Sequence, residues 1–212
     1  MLHGFFGAPW SVRPMGHSLR TGDGFLPFCP RYPSWALDFD AIVERMATKL
    51  ASRAMGEERP VHFVGHSMGG LIARAVVDRL KPRHMGRMVM IGTPNGGSEL
   101  ADFCVRWRLL RPMLGKAAPT LVTAGRLPAL DAFRPPDYPV GVIAGDYPDP
   151  SPLMRQLRLM PTPNDGRVSV ASTHLDGQTD HIVLPVFHGV MPFNRSVQRQ
   201  TAHFLKTGAF QH

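Results

Sequence analysis

The stretch Val61-His62-Phe63-Val64-Gly65-His66-Ser67-Met68-Gly69-Gly70, followed by Leu71-Ile72-Ala73-Arg74-Ala75-Val76-Val77, decides how the rest of the chain is read. The apolar run ending at Val64 predicts a strand, and the run after Gly70 predicts a helix with apolar residues at three-to-four spacing. Between them lies Gly-x-Ser-x-Gly. In that strand-turn-helix setting the turn is so tight that the serine sits in strained backbone and its hydroxyl is lifted clear of the sheet. Gly65 and Gly69 fit this requirement, because a side chain at either position is expected to collide across the turn. The plain alternative is a glycine-rich turn in which Ser67 caps the following helix.

Outward from this point the chain alternates short apolar runs with amphipathic stretches. That is the pattern of β-α-β units around a mostly parallel sheet with helices on both faces. Strands are predicted at Phe25 to Phe28, Val61 to Val64, Arg87 to Ile91, Val140 to Ala144 and Ile182 to Val186. Helices are predicted at Asp38 to Met55, Met68 to Leu80, Glu99 to Leu110 and Asn194 to Lys206. Pro and Gly, 21 of each, cluster at Gly4 to Pro14, Pro27 to Pro33, Pro128 to Pro139 and Pro148 to Pro163, which read as loops. Residues 101–136 interleave Trp107, Leu109, Leu110, Met113 and Leu114 with Arg106, Arg108 and Arg111. They read either as a small cap over a pocket or as a peripheral helix packed on the sheet.

With 212 residues the chain suits one domain with a sizeable core. A hydrophobic fraction of 43% and a charged fraction of 19% exclude a chain disordered by composition. No apolar run reaches the roughly 18 residues of a membrane span. The net charge of +8 favours anionic surfaces, but the basic residues are scattered. Without a dense patch joined to a binding motif, nucleic acid is not expected as a partner. A solvated basic surface is the preferred reading of that charge, and peripheral contact with a lipid surface is the alternative use of it. Cys29 and Cys104 are too few for a disulfide framework and are expected to be buried thiols. Met1-Leu2-His3-Gly4 carries no secretory signal, so a cytoplasmic protein is expected. If His3-Gly4 ends a central strand, Met1 and Leu2 make only a stub of it, and the expectation is a natural product with further N-terminal residues.

A serine hydroxyl needs a histidine base and usually a carboxylate that orients it, in the chain order serine, acid, histidine for this fold. His188 lies in Val186-Phe187-His188-Gly189-Val190, just past the last predicted strand, where a loop brings it over the sheet's C-terminal edge. His174 and His181 bracket a loop and a strand start and compete with it. His203 sits inside the last helix and His212 at the chain end, so both read as structural. For the acid, Asp165 in Asn164-Asp165-Gly166 also fits a simple turn. Asp146 competes because it lies nearer a strand end, and Asp176 and Asp180 trail behind. One donor for a developing oxyanion is the amide of Met68, the residue after the nucleophile. The early stretch His3-Gly4-Phe5-Phe6-Gly7 offers the Phe5 amide as a second. Phe5, Phe6, Trp10, Met68 and the apolar part of 101–136 are expected to line an acyl pocket. Phe6, Trp10 and His66 are taken as substrate-binding. Histidine and cysteine show no ligand spacing, so no metal and no organic cofactor is expected.

Five stretches, in order, carry a resemblance over nearly the whole chain. They are Leu2-His3-Gly4-Phe5-Phe6-Gly7, Val64-Gly65-His66-Ser67-Met68-Gly69-Gly70, Ile91-Gly92-Thr93-Pro94-Asn95-Gly96-Gly97-Ser98, Asn164-Asp165-Gly166-Arg167-Val168 and Phe187-His188-Gly189. The chain resembles the bacterial α/β-hydrolase lipases and esterases, notably small serine esterases of the GPI-inositol-deacylase-like and class 2 lipase types. The resemblance implies an α/β-hydrolase fold and hydrolysis of a carboxylic ester through an acyl-enzyme, and the apolar residues expected to line the pocket point to a lipid-like or aromatic ester. It implies a triad of Ser67, Asp165 and His188, with the amides of Phe5 and Met68 as the oxyanion hole. A thioesterase or acyltransferase with the same triad, and a non-catalytic binder on the same scaffold, are the alternatives. The first strand departs from the family pattern by its shortness.

Overall fold

The computed structural model describes residues 1–5, 7–56, 58–106, 115–117, 120–123, 135–148 and 160–212. Four parallel strands lie side by side in chain order: β1 (Val61–His66), β2 (Met85–Ile91), β3 (Val140–Gly145) and β4 (Asp180–Leu184). Parallel neighbours need crossovers, and helices supply them. They are α3 (Met68–Leu80) between β1 and β2, α4 (Glu99–Arg106) after β2, and the single turn α5 (Val170–Thr173) before β4. Two helices precede the sheet, α1 (Pro9–Asp23) and α2 (Phe39–Gly56), and α6 (Arg195–Thr207) closes the chain after a 3-10 segment, His188–Phe193.

The strands read as continuous apolar runs because successive side chains feed two different cores. Phe63, Met88, Met90, Val140 and Val142 join residues of α2 and α3 on one face. Their neighbours Val64, Val89, Ile91 and Ile143 join Met15 and Leu19 of α1 and Val197, Phe204 and Leu205 of α6 on the other. The register keeps these sets aligned: Val64 faces Val89, Met90 faces Val142, and Ile143 faces Ile182. A side chain such as Met90 or Ile143, fully removed from water, contributes about 1.5–3 kcal/mol.

Two expectations need correction. Residues 25–28 form no regular strand. Gly24 caps α1 in the left-handed conformation, Phe25 N donates to the carbonyl of Leu19, and the Phe28 carbonyl accepts from the Met1 ammonium, so this segment closes a helix rather than entering the sheet. The stretch from Gly4 to Pro14, read as loop, holds the start of α1. Pro9 occupies the first turn, where its missing N–H costs nothing. Val12, Met15, Gly16 and Leu19 then form the buried stripe that outweighs Pro14. Elsewhere β4 begins two residues before the predicted Ile182, and α3 spans the predicted Met68 to Leu80. Most of the cap suggested at 101–136 lies outside the described residues.

The first strand is a stub. Leu2 makes one parallel bridge to Gly65, donating to the Val64 carbonyl at 2.8 Å and accepting from His66 N at 3.0 Å. Beyond it, a groove of about 300 Å³ runs along Val61, His62 and Val64, walled by Phe25, Phe28 and Leu50. No helix among the described residues is long and apolar enough to cross a membrane.

Candidate active site

Ser67 stands where β1 gives way to α3, at φ 56° and ψ −131°. A non-glycine residue held there costs on the order of 1–3 kcal/mol, so the surroundings must impose the conformation. They do so through hydrogen bonds on both sides of the turn: Ser67 N donates to the Ile91 carbonyl at 2.8 Å, and Gly70 N donates to the Ser67 carbonyl at 3.0 Å. A methyl group on Gly65 would lie 2.4 Å from the Cα of Gly70, which is the collision across the turn expected from the sequence. At Gly69 the obstacle is different, since a methyl there would come within 2.3 Å of the Leu2 carbonyl oxygen. Gly69 is small so that the first strand can pass.

His188 and Asp165 meet at the same edge of the sheet. His188 Nδ1 lies 2.7 Å from Asp165 Oδ2, and both side chains are almost wholly buried. The acceptor is a carboxylate, so Nδ1 carries the hydrogen and Nε2 is left free to accept one. The second oxygen, Oδ1, accepts from Arg167 N at 2.9 Å and Val168 N at 2.8 Å, while His188 N donates to the Asp165 carbonyl at 2.9 Å. The Asn164-Asp165-Gly166 turn therefore acts both as a turn and as a carboxylate mount. Gly92, at φ 55°, makes room for the pair: a Cβ there would lie 3.1 Å from His188 Nδ1 and 3.2 Å from Asp165 Oδ2.

The competing residues lie elsewhere. Asp146 is exposed at the end of β3, and Asp176 is exposed in the turn before β4. Asp180 accepts from Phe210 N and His212 Nε2 and so fastens the C-terminus. His174 and His181 stack on each other with ring centroids 4.1 Å apart, and burial together with the His174 charge lowers the His181 pKa to about 4. His203 belongs to α6.

The early loop lies against the nucleophile. His3 is fully buried, donates Nδ1–H to the Gly4 carbonyl at 3.0 Å, and stacks on Tyr32 with centroids 3.9 Å apart. The Tyr32 hydroxyl in turn donates to the His3 carbonyl. Sequence reasoning missed Tyr32, and no local signal marked it. Gly7 N donates to the Gly4 carbonyl at 3.0 Å, turning the chain so that Phe5 packs half-buried on the core. Met68 begins α3 with its side chain fully buried. The amides of a helix's first turn have no acceptor within the helix and lie at its positive end, a setting suited to an oxyanion. Trp10 opens α1 and is 64% exposed. His66 is buried, with Nε2 directed to the His188 carbonyl oxygen at 3.1 Å. Phe6 lies outside the described residues.

Cys29 and Cys104 are free and half-buried rather than buried. Among the described residues, no group of three or more His, Cys, Asp and Glu side chains could hold a metal ion.

A parallel sheet with helices on both faces, a strained serine between strand and helix, and a buried histidine-carboxylate pair at the strands' C-terminal edge define the α/β-hydrolase architecture. The chain belongs to the alpha/beta hydrolase family, whose pattern matches residues 1–205. It is similar in fold to the mature form of the Bacillus licheniformis lipase BlEst2, with 19% identity and a TM-score of 0.80 over 98% of this chain and 89% of that one. It is also similar to phospholipase PlaB from Legionella pneumophila, at 21% identity and a TM-score of 0.63, covering 82% of this chain and 43% of that one. A third likeness is to the RedJ thioesterase of the prodiginine pathway in Streptomyces coelicolor, at 17% identity and a TM-score of 0.52, covering 98% and 84%. No curated protein matches the chain. These likenesses, all at 21% identity or less, show that the chain shares its fold with a lipase, a phospholipase and a thioesterase.

Proposed function

We propose that the protein is a serine hydrolase that cleaves a carboxylic ester of lipid-like or aromatic character through an acyl-enzyme on Ser67. The observation that carries this reading is the buried Asp165–His188 pair, 2.7 Å apart, beside the strained turn that presents Ser67. Asp165 holds the neutral imidazole of His188 in the Nδ1–H tautomer, Nε2 takes the Ser67 proton as Oγ attacks the ester carbonyl, and the carboxylate then stabilises the imidazolium that forms. The amides of Met68 and Phe5 receive the oxyanion, and removing one such donor costs about 3–4 kcal/mol in related chemistry. His188 then passes its proton to the leaving alcohol. In the second half it takes a proton from water, whose oxygen attacks the acyl carbon, and returns that proton to Oγ as the bond to Ser67 breaks and the acid is released.

Exposed Trp10 follows the early loop, and exposed Val190 and Phe193 follow His188. With a net charge of +8, these apolar side chains support peripheral contact with an anionic lipid surface. A thioester substrate is the second reading, favoured by the likeness to the Streptomyces coelicolor thioesterase.

Labelling with a fluorophosphonate probe is expected in the unaltered protein and is expected to vanish in Ser67→Ala. A folded, unreactive protein would support a non-catalytic binder instead. A panel of p-nitrophenyl esters against acyl-CoA thioesters separates esterase from thioesterase.

A further inference from the structure

His66 is the last residue of β1 and the immediate neighbour of Ser67. Its Nε2 lies 3.1 Å from the backbone oxygen of His188, and the two rings approach to 4.9 Å between centroids at a tilt of 40°. A carbonyl oxygen only accepts, so Nε2 must carry the hydrogen. The ring is neutral, since burial, with smaller contributions from His188, Arg167 and His3, lowers its pKa to about 3. A neutral Nε2–H tautomer has no other proton to give.

His188 is thus held at three points. Its backbone N–H goes to the Asp165 carbonyl and its Nδ1–H to the Asp165 carboxylate, so two of the three bonds belong to the acid's own loop. The third, from His66, comes from the strand that carries Ser67. Without it, the acid and base remain joined to each other but lose this tie to the nucleophile.

We propose that His66 is a positioning residue that fixes the His188 imidazole relative to Ser67 by donating its Nε2–H to the His188 carbonyl. The inference rests on the reading of Ser67 and His188 as nucleophile and base. It differs from a substrate-binding use of His66, because the ring's one donor is spent on protein. A misplacement of about 1 Å in a catalytic constellation can cost on the order of 100-fold in rate. The loss should fall on kcat, with KM little changed.

The test compares His66→Gln, whose amide nitrogen can reach the place of Nε2, with His66→Asn, whose amide is one carbon shorter, and with His66→Phe, which keeps a ring but has no donor. Turnover of a p-nitrophenyl ester and the rate of fluorophosphonate labelling are measured on each. Gln is expected within a few-fold of the unaltered protein, and Asn and Phe about 10- to 100-fold lower in both rates with KM within a factor of about two. If Phe fails to fold, the Gln and Asn pair decides. Equal activity in Gln and Asn, or a rise in KM with kcat retained, overturns the proposal. Failure of the unaltered protein to label would instead remove the reading of Ser67 on which it rests.

Discussion

Gly4 lies directly over Ser67: a methyl group built on Gly4 would sit 2.9 Å from the serine Cβ and 3.4 Å from its Oγ. The early loop and the nucleophile therefore share one small space, and any side chain at position 4 must push one of them aside. Gly4→Ala is expected to lower kcat at least about tenfold, because both the attacking oxygen and the neighbouring Phe5 amide would shift from their positions. Steady-state turnover of a p-nitrophenyl ester checks this, and unchanged kcat would show that the loop yields without cost.

The backbone of Ser67 offers a separate test of strain. Glycine tolerates φ 56° without the Cβ clash, so Ser67→Gly should abolish turnover yet stabilise the fold by about 1 kcal/mol. For a chain of this size that corresponds to a rise of about 2–4 °C in melting temperature. A lower melting point would mean that the hydroxyl contributes more in bonding than the turn loses in strain.

The two candidate acids separate cleanly. Asp165→Asn keeps the volume of the side chain but replaces an acceptor of His188 Nδ1–H by a group that can donate. It should reduce kcat by as much as about 10⁴-fold, the scale seen when the base is left in the wrong tautomer. Asp146→Asn alters an exposed side chain at the end of β3 and should leave kcat unchanged. Likewise His188→Ala should abolish turnover, whereas His174→Ala and His181→Ala retain it. Activity surviving in His188→Ala would exclude the proposed base.

How much of this was legible in the sequence depends on how local each cause is. The turn at Ser67 and the helix at 68–80 follow from neighbouring residues, and both are found where the sequence places them. Residues 25–28 look like a strand by composition, but their course is set by the αL cap at Gly24 and by the distant Met1 ammonium. In α1 the prolines masked a buried stripe at helical spacing that was there to be read. Tyr32 holds His3 from 29 residues away, a contact that no motif announces. Spacing alone also left Asp165 and Asp146 open, because only the folded chain shows which carboxylate lies beside His188.

Acid should weaken the fold before it titrates the carboxylates. Burial lowers the His66 pKa to about 3, and burial with the His174 charge lowers that of His181 to about 4, against an ordinary 6.5. Between these values and 6.5 the unfolded chain binds protons that the folded chain refuses. The stabilising effect is therefore complete above about pH 6.5 and declines as pH falls toward 4 and below. Thermal melts taken stepwise downward from neutral pH should show the decline. His181→Gln, which cannot bind that proton, should show a shallower one. A melting temperature that holds steady from neutral pH to pH 4 would contradict the assignment.

The stub at Leu2 has a consequence for the protein as a material. Past that single bridge, the two-residue alternation of β1 turns the N–H and C=O of His62 toward an apolar trough. A border with backbone groups directed into an apolar trough suits an extended strand, whether from this protein's own chain or from another molecule. Arg53, poised 4.5 Å over the Phe28 ring, and Arg59 put positive charge at the trough, so like-charge repulsion guards it in dilute buffer. Added salt screens that guard, and light scattering from a concentrated sample should climb with ionic strength as molecules join border to border.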